Sequence, residues 1–252
     1  MRRAVAGFAV LVVAAAATLV IVAGADSGFD GGAGVATAMA NPVQEAPRAP
    51  APEPEARYQA ADALGPRVAL YGSADADTPM WYLPNPTHEN VQLTFHVERR
   101  DGDRLLARLP MRPNGSRAWI DAGEVALRDV PNRVAVDLSA RTLTVLHGDE
   151  VVWATLVAVG APETPTPVGD FYVDISLPNP GSPYGAHLVS IAGYSDVQIN
   201  FGGGIGQIAA HGWSDPSVVG QAVSNGCLRM PNDAITRLAE LTPTGTPLSI
   251  RA

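Results

Sequence analysis

One cysteine and one histidine near the end of the chain have the residue types that nucleophilic catalysis requires. Cys227 is the single cysteine of the 252 residues, and it follows a polar Ser224-Asn225-Gly226 turn. His211 lies 16 residues upstream, so one short helical excursion can return the chain beside it. A free thiol has a pKa of about 8.5 and needs a basic partner to attack near neutral pH. This spacing favours a Cys227–His211 pair over a cysteine that is merely buried in the core.

The residue pattern gives little support to metal or disulfide chemistry. A single cysteine excludes a disulfide within the chain and a cysteine-rich zinc site. His187 and His211 suggest a pair of metal ligands, but no further ligand stands at motif spacing and no His-Glu-x-x-His helix is present. We therefore predict that the protein uses neither a metal nor another cofactor.

Two separated motifs resemble the catalytic domain of the L,D-transpeptidases, the YkuD family. In the first, His211-Gly212 is followed by Ser224-Asn225-Gly226-Cys227-Leu228-Arg229, where the family has Ser/Thr-His-Gly-Cys. The second, Val159–Phe171, is similar to the family's Gly…Thr-Pro-x-Gly-x-Phe segment, and the resemblance extends over residues 132–251. Asn225 departs from the family's frequent histidine. Because asparagine cannot titrate near neutral pH, we assign the base to His211.

The resemblance implies a cysteine-dependent acyltransferase that forms 3→3 cross-links between peptidoglycan stem peptides through a thioester. It implies that Cys227 is the nucleophile and His211 the proton donor and acceptor, with the Gly212 carbonyl orienting the imidazole. The backbone N–H groups of Gly226 and Cys227 are the expected oxyanion donors, because glycine allows close approach of the backbone. Carbapenem β-lactams are the implied inhibitors.

Residues around the pair are candidates for substrate binding. Arg229 is charged and close to the nucleophile, so its guanidinium could hold a substrate carboxylate; a structural ion pair is the alternative. Aromatic residues could line a cleft, although in a β-domain they often belong to the core. The expected substrate-binding residues are Ser224, Asn225, Arg229, Trp213 and Tyr194.

The strand pattern predicts a mainly β chain with two domains. Over residues 67–130, short strands and a Pro-Asn-Gly-Ser turn before Trp119 resemble bacterial SH3-like modules, small barrels that bind the wall or serve as spacers. Residues 131–252 form the predicted catalytic β-domain. It should contain two short helices, one starting at Asp215-Pro216 and one over Pro231–Leu241 with Ile235, Leu238 and Leu241 on one face.

The N-terminal residues predict export. Met1-Arg2-Arg3 precedes an uncharged run to Ala25, which is long enough to cross a bilayer at about 20 residues. Residues 1–25 are therefore expected to be a cleaved signal peptide or a retained membrane anchor, with the rest in the periplasm or cell wall. Residues 26–66, rich in Pro, Ala and Gly, are predicted to be a linker.

The charge of the chain limits its partners. A net charge of −8 and the lack of a basic run exclude an electrostatic surface for nucleic acid. Two other functions remain open. One is a wall-directed cysteine peptidase or L,D-carboxypeptidase that uses the same pair. The other is a non-catalytic wall-binding protein, in which Asn225 marks a decayed site.

Overall fold

The structure, a computed structural model, describes residues 58–181, 183–200 and 204–252. The predicted signal or anchor segment, residues 1–25, lies outside the described residues, as does the predicted linker up to residue 57. No helix in the described part of the chain is long and apolar enough to cross a membrane.

Residues 58–130, which we call the N-terminal half, form a five-stranded antiparallel sheet and a two-stranded ribbon. In the sheet the strands lie in the order β6-β5-β4-β1-β7, whereas β2 pairs with β3 in the ribbon. An apolar core fills this half, in which Phe95, Leu105 and Ile120 are completely buried. The strands are β1 (Tyr58–Ala63), β2 (Arg67–Leu70), β3 (Trp81–Pro84), β4 (Thr94–Asp101), β5 (Arg104–Arg108), β6 (Arg117–Asp121) and β7 (Val125–Val130).

The predicted Pro-Asn-Gly-Ser hairpin is confirmed. Strands β5 and β6 pair antiparallel on either side of it, and Gly115 has a φ of 81°, a backbone conformation that glycine adopts without strain. The turn also docks on the other half of the molecule. The amide of Asn114 donates to the Tyr194 carbonyl at 2.8 Å and accepts from the Tyr194 N–H at 2.9 Å.

The predicted linker extends too far along the chain. Strand β1 lies within residues 26–66 and occupies the sheet position between β4 and β7. Its sequence Tyr-Gln-Ala-Ala-Asp-Ala lacks the β-branched residues that usually mark a strand. The small side chains are needed because Ala60 packs directly against Gly245. Sheet pairing and this close contact therefore outweigh a weak strand propensity.

Residues 131–252, the C-terminal half, are built on an eight-stranded sheet. The strand order is β10-β9-β8-β17-β12-β13-β14-β16, and β11 and β15 form a separate parallel pair. The strands are β8 (Asn132–Asp137), β9 (Thr142–His147), β10 (Glu150–Leu156), β11 (Val159–Gly160), β12 (Gly169–Pro178), β13 (His187–Tyr194), β14 (Gln207–Gly212), β15 (Ala222–Ser224), β16 (Leu228–Met230) and β17 (Pro247–Arg251).

One of the two predicted helices is an α-helix. Helix α1 (Asn232–Leu241) buries Ile235 and Leu238 in the core, and Leu241 packs at its margin, as predicted. The segment predicted to start a helix at Asp215-Pro216 is only a 3₁₀ turn, Pro216–Val218, although Asp215 caps it by accepting from the Ser217 N–H at 2.9 Å. The mainly β prediction is confirmed.

Candidate active site

Two parallel strands bring the predicted pair to one face of the sheet. In the β14–β16 pairing, Ala210 lies opposite Leu228 and His211 opposite Arg229. Residues two apart on a strand face the same side, so Cys227, just before β16, shares the face of Arg229 and His211. All three side chains line one cavity of about 550 Å³. The fold therefore places the thiol, the imidazole and a guanidinium around a common space.

The ring of His211 is held by its own neighbour in sequence. The side chain is buried, and Nδ1 lies 2.8 Å from the carbonyl oxygen of Gly212. If Nδ1 donates its proton there, Nε2 is left as the acceptor, which is the tautomer a general base needs. The Gly212 carbonyl is thus in the position expected for orienting the imidazole.

Two aromatic rings confine the imidazole. The ring of Tyr184 meets His211 nearly edge-on, with centroids 5.1 Å apart, and the ring of Trp213 lies 5.7 Å away. Both line the same cavity as Cys227. The predicted position of Trp213 at the cleft therefore agrees with the structure. Tyr184 also lines this cavity, and the sequence analysis did not identify it.

A tight turn presents the thiol. Gly226 has a φ of 112°, which an L side chain rarely adopts, so glycine is required immediately before Cys227. The hydroxyl of Ser224 spans this turn. It donates to the Cys227 carbonyl at 2.6 Å and accepts from the Gly226 N–H at 3.1 Å. Cys227 itself is half-buried.

The second sequence motif, Val159–Phe171, stabilises this turn through hydrogen bonds. The Thr166 hydroxyl donates to the Gly226 carbonyl at 2.9 Å and accepts from the Gly160 N–H at 2.8 Å. The Thr164 hydroxyl donates to the Ser224 carbonyl at 2.8 Å. The two threonines of the Thr-Pro-Thr-Pro segment thus fix the backbone on which Cys227 stands. The two motifs are separated in sequence but form one structural unit.

Burial favours the neutral form of both members of the pair. It raises the pKa of the Cys227 thiol, an effect that a backbone hydrogen bond from Ala209 and the charge of Arg229 partly offset. Burial lowers the pKa of His211, the hydrogen bond to Gly212 opposes that shift, and Arg229 adds to it. A raised thiol pKa and a lowered imidazole pKa both favour a neutral pair over a preformed thiolate–imidazolium pair.

Arg229 is held by an aromatic face rather than by a carboxylate. Its guanidinium carbon lies 3.9 Å from the centroid of the Trp213 ring, and its Nε is buried without a hydrogen-bond partner in the described structure. No ion pair to Arg229 is found among the described residues. The structural ion pair weighed against substrate binding is thus not the arrangement observed.

Two candidates for substrate binding have different surroundings from those expected. Ser224 is almost completely buried, and its hydroxyl holds the cysteine turn instead of facing the cavity. Tyr194 is buried between the two halves, where its hydroxyl donates to the Pro110 carbonyl at 2.6 Å, and it does not line the cavity that contains Cys227. Asn225 is exposed and lines that cavity.

One of the two expected oxyanion donors has another partner. The N–H of Gly226 donates to the Ser224 hydroxyl, because the turn folds back on the residue two positions earlier. His187, weighed as a metal ligand, instead lies with Nε2 2.8 Å from the Ser176 hydroxyl. Among the described residues, no group of three or more His, Cys, Asp or Glu side chains is arranged to hold a metal ion.

Comparison with known proteins places this arrangement in a family. The family model for YkuD, the L,D-transpeptidase catalytic domain, matches residues 131–250. YkuD of Bacillus licheniformis, named as an L,D-transpeptidase, is 33% identical over 174 residues, which cover 66% of this chain and 94% of that protein. YkuD of Bacillus subtilis strain 168 is 36% identical over 121 residues, covering 48% of this chain and 66% of that protein.

Solved structures of L,D-transpeptidases are also similar. L,D-transpeptidase 3 from Mycobacterium tuberculosis, in complex with a faropenem-derived adduct, shares 15% identity at a TM-score of 0.41, over 56% of this chain and 76% of that one. The match to the Bacillus licheniformis protein spans nearly all of that relative. The chain therefore belongs to the YkuD family of L,D-transpeptidases, which are acyltransferases.

Proposed function

We propose that this protein forms 3→3 cross-links in peptidoglycan through a thioester on Cys227. The observation that carries the proposal is the shared cavity of Cys227, His211 and Arg229, in which the Gly212 carbonyl lies within hydrogen-bond distance of Nδ1 of His211. Family membership supports the reaction class, and the geometry supports the proposed roles.

In the first half-reaction, Cys227 attacks the carbonyl carbon of the third residue of a tetrapeptide stem. As the S–C bond forms, the thiol proton passes to Nε2 of His211. The resulting imidazolium then donates that proton to the leaving nitrogen, and the C–N bond to the terminal D-alanine breaks. Because burial favours the neutral thiol and the neutral imidazole, proton transfer accompanies attack in this proposal rather than preceding it.

The negative charge that develops on the substrate oxygen needs a hydrogen-bond donor. We assign the backbone N–H of Cys227 to this role, because the N–H of Gly226 is bonded to Ser224. The hydroxyls of Ser224 and Thr166 act indirectly, by holding the backbone of the turn. Removing either should misplace the thiol without removing a reacting group.

In the second half-reaction, the side-chain amine of a neighbouring stem attacks the thioester carbonyl. His211 accepts a proton from that amine, the C–S bond breaks, and the imidazolium returns the proton to the departing sulfur, which restores the thiol of Cys227. Water as the acceptor would make the same site an L,D-carboxypeptidase. The guanidinium of Arg229, stacked on Trp213 with its Nε unpaired, is positioned to hold a stem carboxylate, and exposed Asn225 lies on the same cavity wall.

This substrate lies outside the cytoplasm, which agrees with the apolar segment expected within residues 1–25. We propose that the N-terminal half, the predicted SH3-like module, contributes mainly by bracing the catalytic half. Support comes from the reciprocal hydrogen bonds between Asn114 and Tyr194. Arg128 adds a second brace, with an ion pair to Asp62 at 2.7 Å and a hydrogen bond to the Thr244 carbonyl at 2.6 Å.

The direct test is mass analysis of muropeptides after the protein has been incubated with tetrapeptide-bearing peptidoglycan. We expect new 3→3-linked dimers and released D-alanine with the wild type, and neither product with Cys227→Ala. Circular dichroism should show that this variant is folded. Tripeptide products alone would assign the carboxypeptidase activity instead. Unchanged muropeptides with a folded wild-type protein would favour the non-catalytic wall-binding function.

A further inference from the structure

A second cavity lies between the two halves of the protein and takes no part in the proposed reaction. Its volume is about 190 Å³, well above the roughly 10–15 Å³ that one water molecule needs. Leu83 and Leu93 of the N-terminal half form part of its wall, and Asp174, Ile175 and Gln207 of the C-terminal half form the opposite part. The cavity is thus mostly apolar with a few polar groups, the usual character of a small-molecule site.

The central polar group of this cavity is Asp174. It interrupts a run of apolar residues in β12, at a register shift between Val173 and Ile175 where β12 pairs with β13. Such irregularities often direct a side chain toward a functional site. Asp174 is 7% exposed. Its Oδ2 accepts from the Gln207 amide at 2.7 Å, but its Oδ1 is buried without a hydrogen-bond partner in the described structure.

No cation within the described structure compensates this carboxyl group. Burial raises the pKa of Asp174 to about 6, and hydrogen bonds from the side chains of Gln207 and Ser190 oppose that shift without supplying a counter-charge. The guanidinium of Arg112, which stacks on Tyr194 nearby, donates to the carbonyls of Ser195 and Ile205 instead. A buried carboxylate without a counter-charge is unfavourable, which favours a cationic occupant.

Two other polar groups on the wall fit the same occupant. The Thr87 hydroxyl is buried and unpartnered in the described structure, and it can accept a hydrogen bond. The one basic side chain among the described lining residues is His88, which is largely exposed and lies 2.9 Å from Glu89. The charges that line the cavity are therefore mainly negative, and its walls suit an aliphatic chain.

We propose that this cavity binds a primary aliphatic ammonium group, with Asp174 as its counter-ion. The apolar wall formed by Leu83, Leu93 and Ile175 would accommodate the methylene chain, and the ammonium would supply hydrogen bonds to the Asp174 carboxylate and the Thr87 hydroxyl. Nothing in the proposed reaction requires these residues, so this is a binding site separate from the Cys227 cavity.

The two cavities are neighbours, because Gln207 lines both of them. We assign the physiological ammonium to the side chain of a stem peptide that does not react in that turnover, and this assignment rests on the proposed function. A stem anchored beside Gln207 would hold the peptidoglycan strand close to the catalytic cavity. Binding of a simple amine does not depend on the reaction and can be measured by itself.

The test compares n-pentylamine with 1-pentanol, its neutral counterpart, by calorimetry on the full-length chain at neutral pH. We expect wild type to bind the amine about tenfold or more tightly than the alcohol, because a hydrogen bond to a charged group typically contributes that much. Asp174→Asn should abolish this preference. Methyl NMR signals of Leu93 and Ile175 should shift on binding, whereas that of Leu188 in the catalytic cavity should not.

Equal binding of amine and alcohol, no binding of either, or shifts centred on Leu188 would each overturn the proposal. If Asp174→Asn fails to fold, the wild-type preference together with the NMR mapping decides the question. If the protein binds the amine but leaves muropeptides unchanged, the ammonium site is supported and the proposed cross-linking function is contradicted. If the protein forms cross-links but does not bind the amine, the proposed function is supported and the ammonium site is contradicted.

Discussion

The side-chain oxygen of Asn232 accepts a hydrogen bond from the backbone N–H of Ala186 at 2.8 Å. The same oxygen packs against Gly185 and Gly212, where a Cβ on either residue would overlap it. Gly212 supplies the carbonyl that holds His211, and Tyr184, which contacts the imidazole, immediately precedes Gly185. The first residue of helix α1 thus contacts two elements that position His211, the proposed base.

We expect Asn232→Ala to slow acylation of Cys227 about tenfold while lowering stability by only about 1 kcal/mol, the typical contribution of one hydrogen bond. The loss should appear in kcat and in the pH–rate profile more than in KM, because the variant disturbs the base and not the substrate contacts. Acylation can be followed by stopped-flow mass analysis, with thermal unfolding recorded in parallel.

Asn232→Asp retains the accepting oxygen and should recover most of the rate. The matched control is Asp233→Asn, at the next and exposed position of α1, for which we expect no change. An Asn232→Ala protein with a wild-type rate and pH profile would show that this oxygen has no part in positioning His211.

The pKa shifts at the site predict how the thiol responds to pH. Because burial raises the pKa of Cys227, the thiolate fraction at pH 7 should be lower than for a free cysteine, and alkylation by iodoacetamide should be slow there and rise at higher pH. The charge of Arg229 lowers this pKa. Arg229→Gln should therefore move the midpoint of the rate profile upward.

The control for this charge effect is Arg237→Gln, an exposed arginine that pairs with Glu240 on α1; its profile should match that of the wild type. Since the chain has one cysteine, the alkylation signal has a single source. A midpoint below that of free cysteine would contradict the neutral resting pair and indicate a preformed thiolate.

The departure from the family motif at Asn225 should be tolerated. Asn225 is exposed on the wall of the Cys227 cavity, whereas the hydrogen bond that holds the His211 ring is made with the Gly212 carbonyl. We expect Asn225→His to leave the unfolding temperature unchanged and to alter the acylation rate much less than His211→Ala does. Steady-state acylation of the two variants provides the comparison. A His211→Ala protein with near wild-type activity would assign the base to another residue.

Cys227 should be modified once per chain by a carbapenem. The β-lactam carbonyl is an electrophile like the stem amide, and loss of the general base should slow its attack by about 10²–10⁴-fold. Intact mass should show one adduct on the wild type, none on Cys227→Ala, and slow or no modification of His211→Ala. An adduct that persists in Cys227→Ala would place the nucleophile elsewhere.

The Cys227–His211 pair, which we propose to be catalytic, could be singled out from sequence because its signal is local. Glycines beside His211 and Cys227, together with the spacing between the two, mark a tight turn and a returning chain. The roles of Ser224 and Tyr194 could not be predicted, because a buried hydroxyl that spans a turn and a ring at the interface between the halves look, in sequence, like residues of a cleft. Asn232 was missed for a related reason, since its partners lie 46 residues upstream.

Strand β1 was missed because alanine gives a weak strand signal, and this omission has a direct experimental consequence. The domain boundary predicted at residue 67 implies that Arg67–Ala252 folds without the preceding residues, but that fragment lacks β1, which pairs with both β4 and β7. It would also lose Asp62, the partner of Arg128 and of the Thr94 hydroxyl, and would remove Ala61 from the apolar core and Ala60 from its contact with Gly245. Loss of a central strand should destabilise the protein by more than about 4–5 kcal/mol, a magnitude that only disruption of the core or of buried networks produces.

We therefore expect Tyr58–Ala252 to be folded and to unfold in one cooperative transition in urea, and Arg67–Ala252 to aggregate or to lack such a transition. A third fragment, Asp62–Ala252, keeps the ion pair but only the end of the strand and should fall between them. Equal urea midpoints for the fragments that begin at Tyr58 and at Arg67 would show that the sheet does not depend on β1.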